Sequence, residues 1–230
     1  MQVEMDLDYE IKRSSKRKKL TITVERDRRV VIHAPVHVTE ERIQEIIAAK
    51  RQWIYEKTRH EQKYVEQHPP GKEIVNGESA LYLGRNYKIH IQKTETSEIE
   101  FDNGFYIPAN QVSDRREVLR EWYVAKARQK ILPRVLQHSL QMGVDFKNAK
   151  IVNNRYRWGS CTVKDNVNFN WRLIKAPMFV IDYVIVHELA HLIEANHTPR
   201  FWNVVRTQTP TMEKAKTWLK VHGQILEQEI

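Results

Sequence analysis

Apolar and polar positions along the chain first settle into a period of two. Leu20 to Val24 and Val30 to Ala34 are β-rich runs separated by the charged ERDRR, and Pro35 closes the second, so two strands are expected. The period then changes. Ile43, Ile46, Ile47 and Ile54 recur at helical spacing, Thr39 stands where an N-cap belongs, and Glu40 and Glu41 fall in a first turn whose dipole favours acids. A helix over about 39–66 follows, stopped by HPPG at 68–71.

A second β region comes next. The runs SALYLG, NYKIHIQ, EIEF and FYIP have strand composition, with turn signals at Asn76-Gly77 and Asp102-Asn103-Gly104. From Ser113 a long helical pattern begins, with Asp114 and Glu117 spaced like a capping box, and Pro133 is expected to kink or divide it. The fold class is therefore α+β. A β-rich N-terminal region, 1–110, with one long helix precedes a helical region, 111–230, and the two are either separate domains or one continuous domain.

The last third carries two strand-like stretches, KIVNNRYRWGSCT and NVNFNWRLI, joined by a polar turn around Lys164 to Asn166. PMFVIDYVIVHELAHLIEAN then reads as a helix with Pro177 in its first turn. It is apolar on nearly every face, as a helix buried in the middle of a domain must be. Thr198-Pro199 signals the N-terminus of another helix, with Phe201 and Trp202 as core residues.

That buried helix contains His187, Glu188 and His191, which changes the picture from folding to chemistry. Histidines four apart share a helix face and can bind one tetrahedral zinc ion. Glu188, directly after the first, is placed to act as general base on zinc-bound water. A catalytic zinc takes three protein ligands and keeps one position open. His197 can be the third, provided the chain turns after a left-handed Asn196. Glu194, seven residues after His187, competes for that role, but on a continuous helix it would lie too nearly in line with the two histidines. The spacing of His187 and His197 matches the metzincin pattern, yet Glu194 replaces its glycine and no Met-turn is identifiable. Chance gives H-E-x-x-H in roughly 4% of chains of this composition, and roughly 0.2% with the third histidine. Burying these groups without partners would also be costly.

The composition narrows the class. Of 230 residues 41% are hydrophobic and 29% charged, as in a globular protein. No apolar run reaches the length of a membrane span, and the opening MQVEMDLDYEIKRSS has no apolar segment of a secretory signal. Cys161 is the sole cysteine, which excludes an internal disulfide and suits a reducing cytoplasm. The net charge of +9 favours polyanions, and its densest run is Lys12, Arg13 and Lys16 to Lys19. No nucleic-acid motif accompanies that run, which reads as a solvated hairpin or strand edge.

RWGSC (Arg157 to Cys161), NWRL (Asn170 to Leu173), DYVIVHELAH (Asp182 to His191) and NHTPRFW (Asn196 to Trp202) together resemble the YgjP-type metal-dependent hydrolases. These are zincin relatives close to the SprT-like and WLM metallopeptidases. SKRKKLTITV and ALYLG extend the resemblance over most of the chain. It implies a zincin-like catalytic part with a small antiparallel sheet beside the HExxH helix. It also implies zinc on His187, His191 and His197, and Glu188 as base. Arg157, Asn170 and Arg172 become candidates for contact with an oxyanion or a phosphate. The expected activity is that of a zinc-dependent metallopeptidase acting on a peptide. The alternatives are a UTP pyrophosphatase using a second metal such as Mg²⁺ and releasing nucleoside monophosphate and diphosphate, and a non-catalytic zinc module.

Overall fold

The computed structural model describes residues 8–25, 28–58, 73–93, 98–110, 115–154 and 157–227. Contacts divide the chain into two units, Met1–His68 and Pro69–Ile230. In the first, β1 (Tyr9–Ser14), β2 (Thr21–Val24) and β3 (Val30–Pro35) form a sheet of order β1-β3-β2, with β1 parallel and β2 antiparallel to β3. Strand β1 lies beyond the two strands expected. It is an edge strand and carries Lys12 and Arg13 of the basic run. The Arg13 guanidinium donates to the Val38 carbonyl at 2.5 Å and meets the Glu40 carboxylate at 3.3 Å, tying the strand to the helix start.

Thr39 caps α1 (Glu40–Ala49) by accepting the Arg42 N–H at 3.4 Å. The single helix expected over 39–66 breaks at Lys50 (φ −105°, ψ 7°), and α2 covers Arg51–Thr58. Residues 59–66 and the HPPG stop lie outside the described residues. No proline or glycine marks the break. Ile43, Ile47 and Ile54, from both helices, pack on Val24, Val30, Ile32 and Ala34.

In the second unit, β4 (Ser79–Tyr82), β5 (Arg85–Gln92), β6 (Glu100–Phe101) and β7 (Phe105–Pro108) form a sheet of order β4-β5-β7-β6. The β4–β5 hairpin turns through Leu83 (φ 47°) and Gly84 (φ 79°), the left-handed pair that a tight two-residue turn needs. Helix α3 (Arg115–Met142) lies over this region, with Tyr123 donating to the Leu81 carbonyl at 2.8 Å. Pro133 does not divide it. Leu119, Tyr123, Ala127, Ile131, Val135 and Ser139 form one buried stripe at spacing four, so both halves are held to the same core across the missing N–H. Asp114 of the expected capping box lies outside the described residues, and Glu117 pairs instead with Arg120.

The stretch expected as one strand before the turn is two: β8 (Asn148–Val152) and β9 (Gly159–Cys161). They flank β10 (Asn166–Asn170), β8 parallel and β9 antiparallel to it. Residues 171–174, expected to continue the strand, lie instead in a 3-10 turn over Trp171–Lys175. The Asn170 side chain causes the change by capping the Arg172 N–H at 3.0 Å. Helices α4 (Met178–Ala190), α5 (Pro199–Gln208) and α6 (Met212–Glu227) complete the unit. Nine of the thirteen residues of α4 are buried, as its apolar faces required. Among the described residues no helix is long and apolar enough to cross a membrane.

Candidate metal centre

The foot of α4 is fixed before the site begins. In the β4–β5 turn, the Leu83 N–H donates to the Ile174 carbonyl at 3.0 Å and the Gly84 N–H to the Lys175 carbonyl at 2.8 Å. A Cβ on Gly84 would lie 2.5 Å from Pro177 Cγ, so glycine serves both the turn and the contact. Farther along, Arg134 of α3 clamps Asp182 with two bonds of 2.5 and 2.6 Å, and His138 stands 3.2 Å away. Burial pushes the Asp182 carboxyl up, but His138 and Arg134 outweigh it and hold the group below its ordinary value.

His187, Glu188 and His191 occupy the end of this helix. The helix stops at Ala190, six residues short of the expected end. The chain leaves through bonds from Leu192 to the Leu189 carbonyl and from Glu194 to the Ala190 carbonyl. Asn196 is not among the left-handed residues, so the expected exit through it is replaced by this earlier turn. Thr198 then caps α5 by accepting the Phe201 N–H at 3.3 Å, with Pro199 at its start. His197 thus stands in a corner set by two local signals.

The corner brings the three imidazoles together. Their ring centroids are 5.2, 5.0 and 4.8 Å apart, and one nitrogen from each lies within 4.8 Å of the others. His197 Nε2 and His187 Nε2 are 3.1 Å apart, near the roughly 3.3 Å that two ligands of a tetrahedral zinc would show. His191 Nδ1 lies 3.3 Å from the Glu194 carbonyl. A proton on Nδ1 would satisfy that bond and leave Nε2 free as a ligand. Glu194 thus meets the site through its backbone, and its carboxylate is not part of the cluster. Burial, with His191 and His197 nearby, lowers the His187 pKa to about 3, and burial and His191 lower that of His197. Both rings are neutral near pH 7, the form that binds a metal. The donor set and its spacing fit a zinc ion.

Aromatic rings hold the imidazoles from behind. Phe201, fully buried, lies 5.0, 4.6 and 4.7 Å from His187, His191 and His197. Trp202 stacks on His197 at 5.5 Å and 21°, and Lys216 of α6 lies 5.3 Å from the Trp202 ring. Phe201 is core as expected, while Trp202 also has a place beside the imidazoles that composition alone did not reveal.

Glu188 is 7% exposed, and the Cys161 backbone of β9 is close enough to act on its carboxylate. Burial pushes its pKa up to about 8, against the lowering effects of Arg157 and of that backbone. A cation on the neighbouring imidazoles would favour the ionised form. The other polar candidates are placed differently. Asn170 is buried, and its amide donates to the Asn154 and Arg157 carbonyls. Arg172 reaches Asn153 Oδ1 at 2.7 Å and lies 4.5 Å over the Trp171 ring. Cys161 has its thiol pKa raised by burial, then by Glu188 and Asp165, contrary to what a nucleophile needs. Sequence reasoning did not single out Gly159, although an isolated glycine in a strand pattern signals a close approach.

No curated protein matches the chain. Similar solved structures are the metallopeptidase zymogens jannalysin of Methanocaldococcus jannaschii and abylysin of Pyrococcus abyssi. The first is 18% identical over 42% of this chain and 97% of its own, with a TM-score of 0.35. The second is 16% identical over 44% and 99%, with a TM-score of 0.37. The family model of the YgjP-like metallopeptidase domain matches residues 18–222. With that match over most of its length, the chain belongs to the YgjP-like metallopeptidase family.

Proposed function

We propose that this protein is a zinc-dependent peptidase in which His187, His191 and His197 hold the ion and Glu188 is the general base. The observation that carries the reading is the convergence of three imidazoles beside a buried carboxylate at the end of α4. A closed structural site would have no use for Glu188. A bound zinc ion supplies a Lewis acid and brings the pKa of water at its open position towards neutrality. Glu188 takes the proton of the attacking water and passes it to the leaving amine.

Strand β9 is the edge of its sheet and packs on α4, which suits backbone pairing with an extended peptide. Arg157, exposed and close enough to act on Glu188, is assigned the substrate contact. The bonds that Asn170 and Arg172 already make support bracing of the 153–158 segment instead. The test is incubation of the zinc-loaded protein with a peptide library and, separately, with nucleoside triphosphates. Peptide cleavage, lost in Glu188→Gln with zinc retained, is the expected result. Release of UMP and diphosphate without peptide cleavage would replace the reading by a pyrophosphatase, and turnover of neither would leave a zinc-binding module.

A further inference from the structure

We infer that Gly159 is the seat of Glu188, a positioning residue on β9 whose missing side chain fixes where the carboxylate stands. A Cβ at Gly159 would meet Glu188 Cγ at 2.5 Å, Oε1 at 2.7 Å and Cδ at 2.8 Å. Gly159 is not among the glycines of positive φ, so its backbone does not demand glycine. The requirement is for space, and Glu188 fills it.

The carboxylate has little room to give way. The Cys161 backbone, two residues along the same strand, also acts on the carboxyl, and swinging aside would give up that contact in a buried setting. The helix cannot retreat either, because Val184, Ile185, Leu189 and Ala190 around Glu188 are buried in the core. Strand β9 therefore confines the side chain, chiefly through the absent Cβ at 159. Phe169 of β10, paired with Gly159, sets the depth of that strand. The catalytic consequence rests on the reading of Glu188 as base, whereas the packing does not.

The experiment places Gly159→Ala in the natural protein and in Glu188→Ala. Melting temperature, zinc affinity by chelator competition, and kcat and KM on a cleaved library peptide are measured. Alone, Gly159→Ala is expected to lower Tm by about 5 °C and kcat by about 100-fold, with KM and zinc affinity within about threefold. In Glu188→Ala the same change should move Tm by less than about 1 °C. An equal Tm loss in both backgrounds overturns the inference, as does an unchanged kcat when Glu188→Gln abolishes activity. If Gly159→Ala alone does not fold, recovery in the double variant supports the seat, and its failure to fold overturns it. Coupled Tm values with full activity in Glu188→Gln would retain the seat and refute the base.

Discussion

The two halves of the metal cluster are held by different means. His187 and His191 stand on a helix whose surroundings are core, so their positions follow from the packing of α4. His197 is exposed and belongs to a turn, and it is held by a cap on one side and by stacking on Trp202. Burial sets the protonation of His187, since it is the largest cause of its low pKa. The difference teaches that such a cluster can take two imidazoles from a rigid rod and the third from a short corner backed by an aromatic wall.

Removing one imidazole from each half should give the largest effects and separate them. His187→Ala and His197→Ala are both expected to abolish zinc binding at micromolar protein, read by metal analysis after dialysis. Without metal, His187→Ala should also lower stability by about 2 kcal/mol, because it opens a cavity in the core, whereas His197→Ala should change it by under about 0.5 kcal/mol. Equal stability losses would break the contrast.

A smaller effect tests burial at the foot of the rod. Lys175 is buried, its Nζ bonds the Leu226 carbonyl at 3.3 Å, and burial followed by Arg172 lowers its pKa to about 7. The unfolded chain keeps the ordinary value of 10.5, so between about 7 and 10.5 it binds more protons than the native state. Stability from this group therefore rises with pH across that window, and below it the full cost of the buried charge remains. From pH 7 to 9 the natural protein should gain about 2 kcal/mol, or about 4–8 °C in Tm, relative to Lys175→Met. Parallel melting curves would show that Lys175 is solvated.

The smallest effect concerns the wall behind His197. Trp202→Ala should weaken zinc about tenfold in chelator competition and leave Tm of the metal-free protein within about 2 °C. Unchanged affinity would mean that the corner alone positions the third ligand.

Much of this arrangement was legible in the chain because its signals are local. Caps at Thr39 and Thr198, glycine turns and the apolar run before His187 each act within a few residues. The misjudged elements depend on distant partners or on competing local bonds. Strand β1 exists through its pairing with β3, and α3 stays whole across Pro133 because the core holds both halves. The strand through Asn170 ended early because its amide preferred to cap. At the site, the histidine spacing pointed to the cluster, but the role of Gly159 needed the depth of a neighbouring strand. Asn170 and Arg172 could be read from the chain either as substrate contacts or as structural braces, and the bonds they make at 153–157 depend on tertiary placement.

The turn at Leu83-Gly84 bonds to residues roughly ninety positions away, and closing so long a loop is entropically costly and slow. The support beneath α4 is therefore expected late in folding, after synthesis has passed residue 175. A fragment beginning at 111 would lack that support entirely, and one beginning near 69 would keep it. Zinc uptake by a growing or shortened chain would then report that its two distant segments have met.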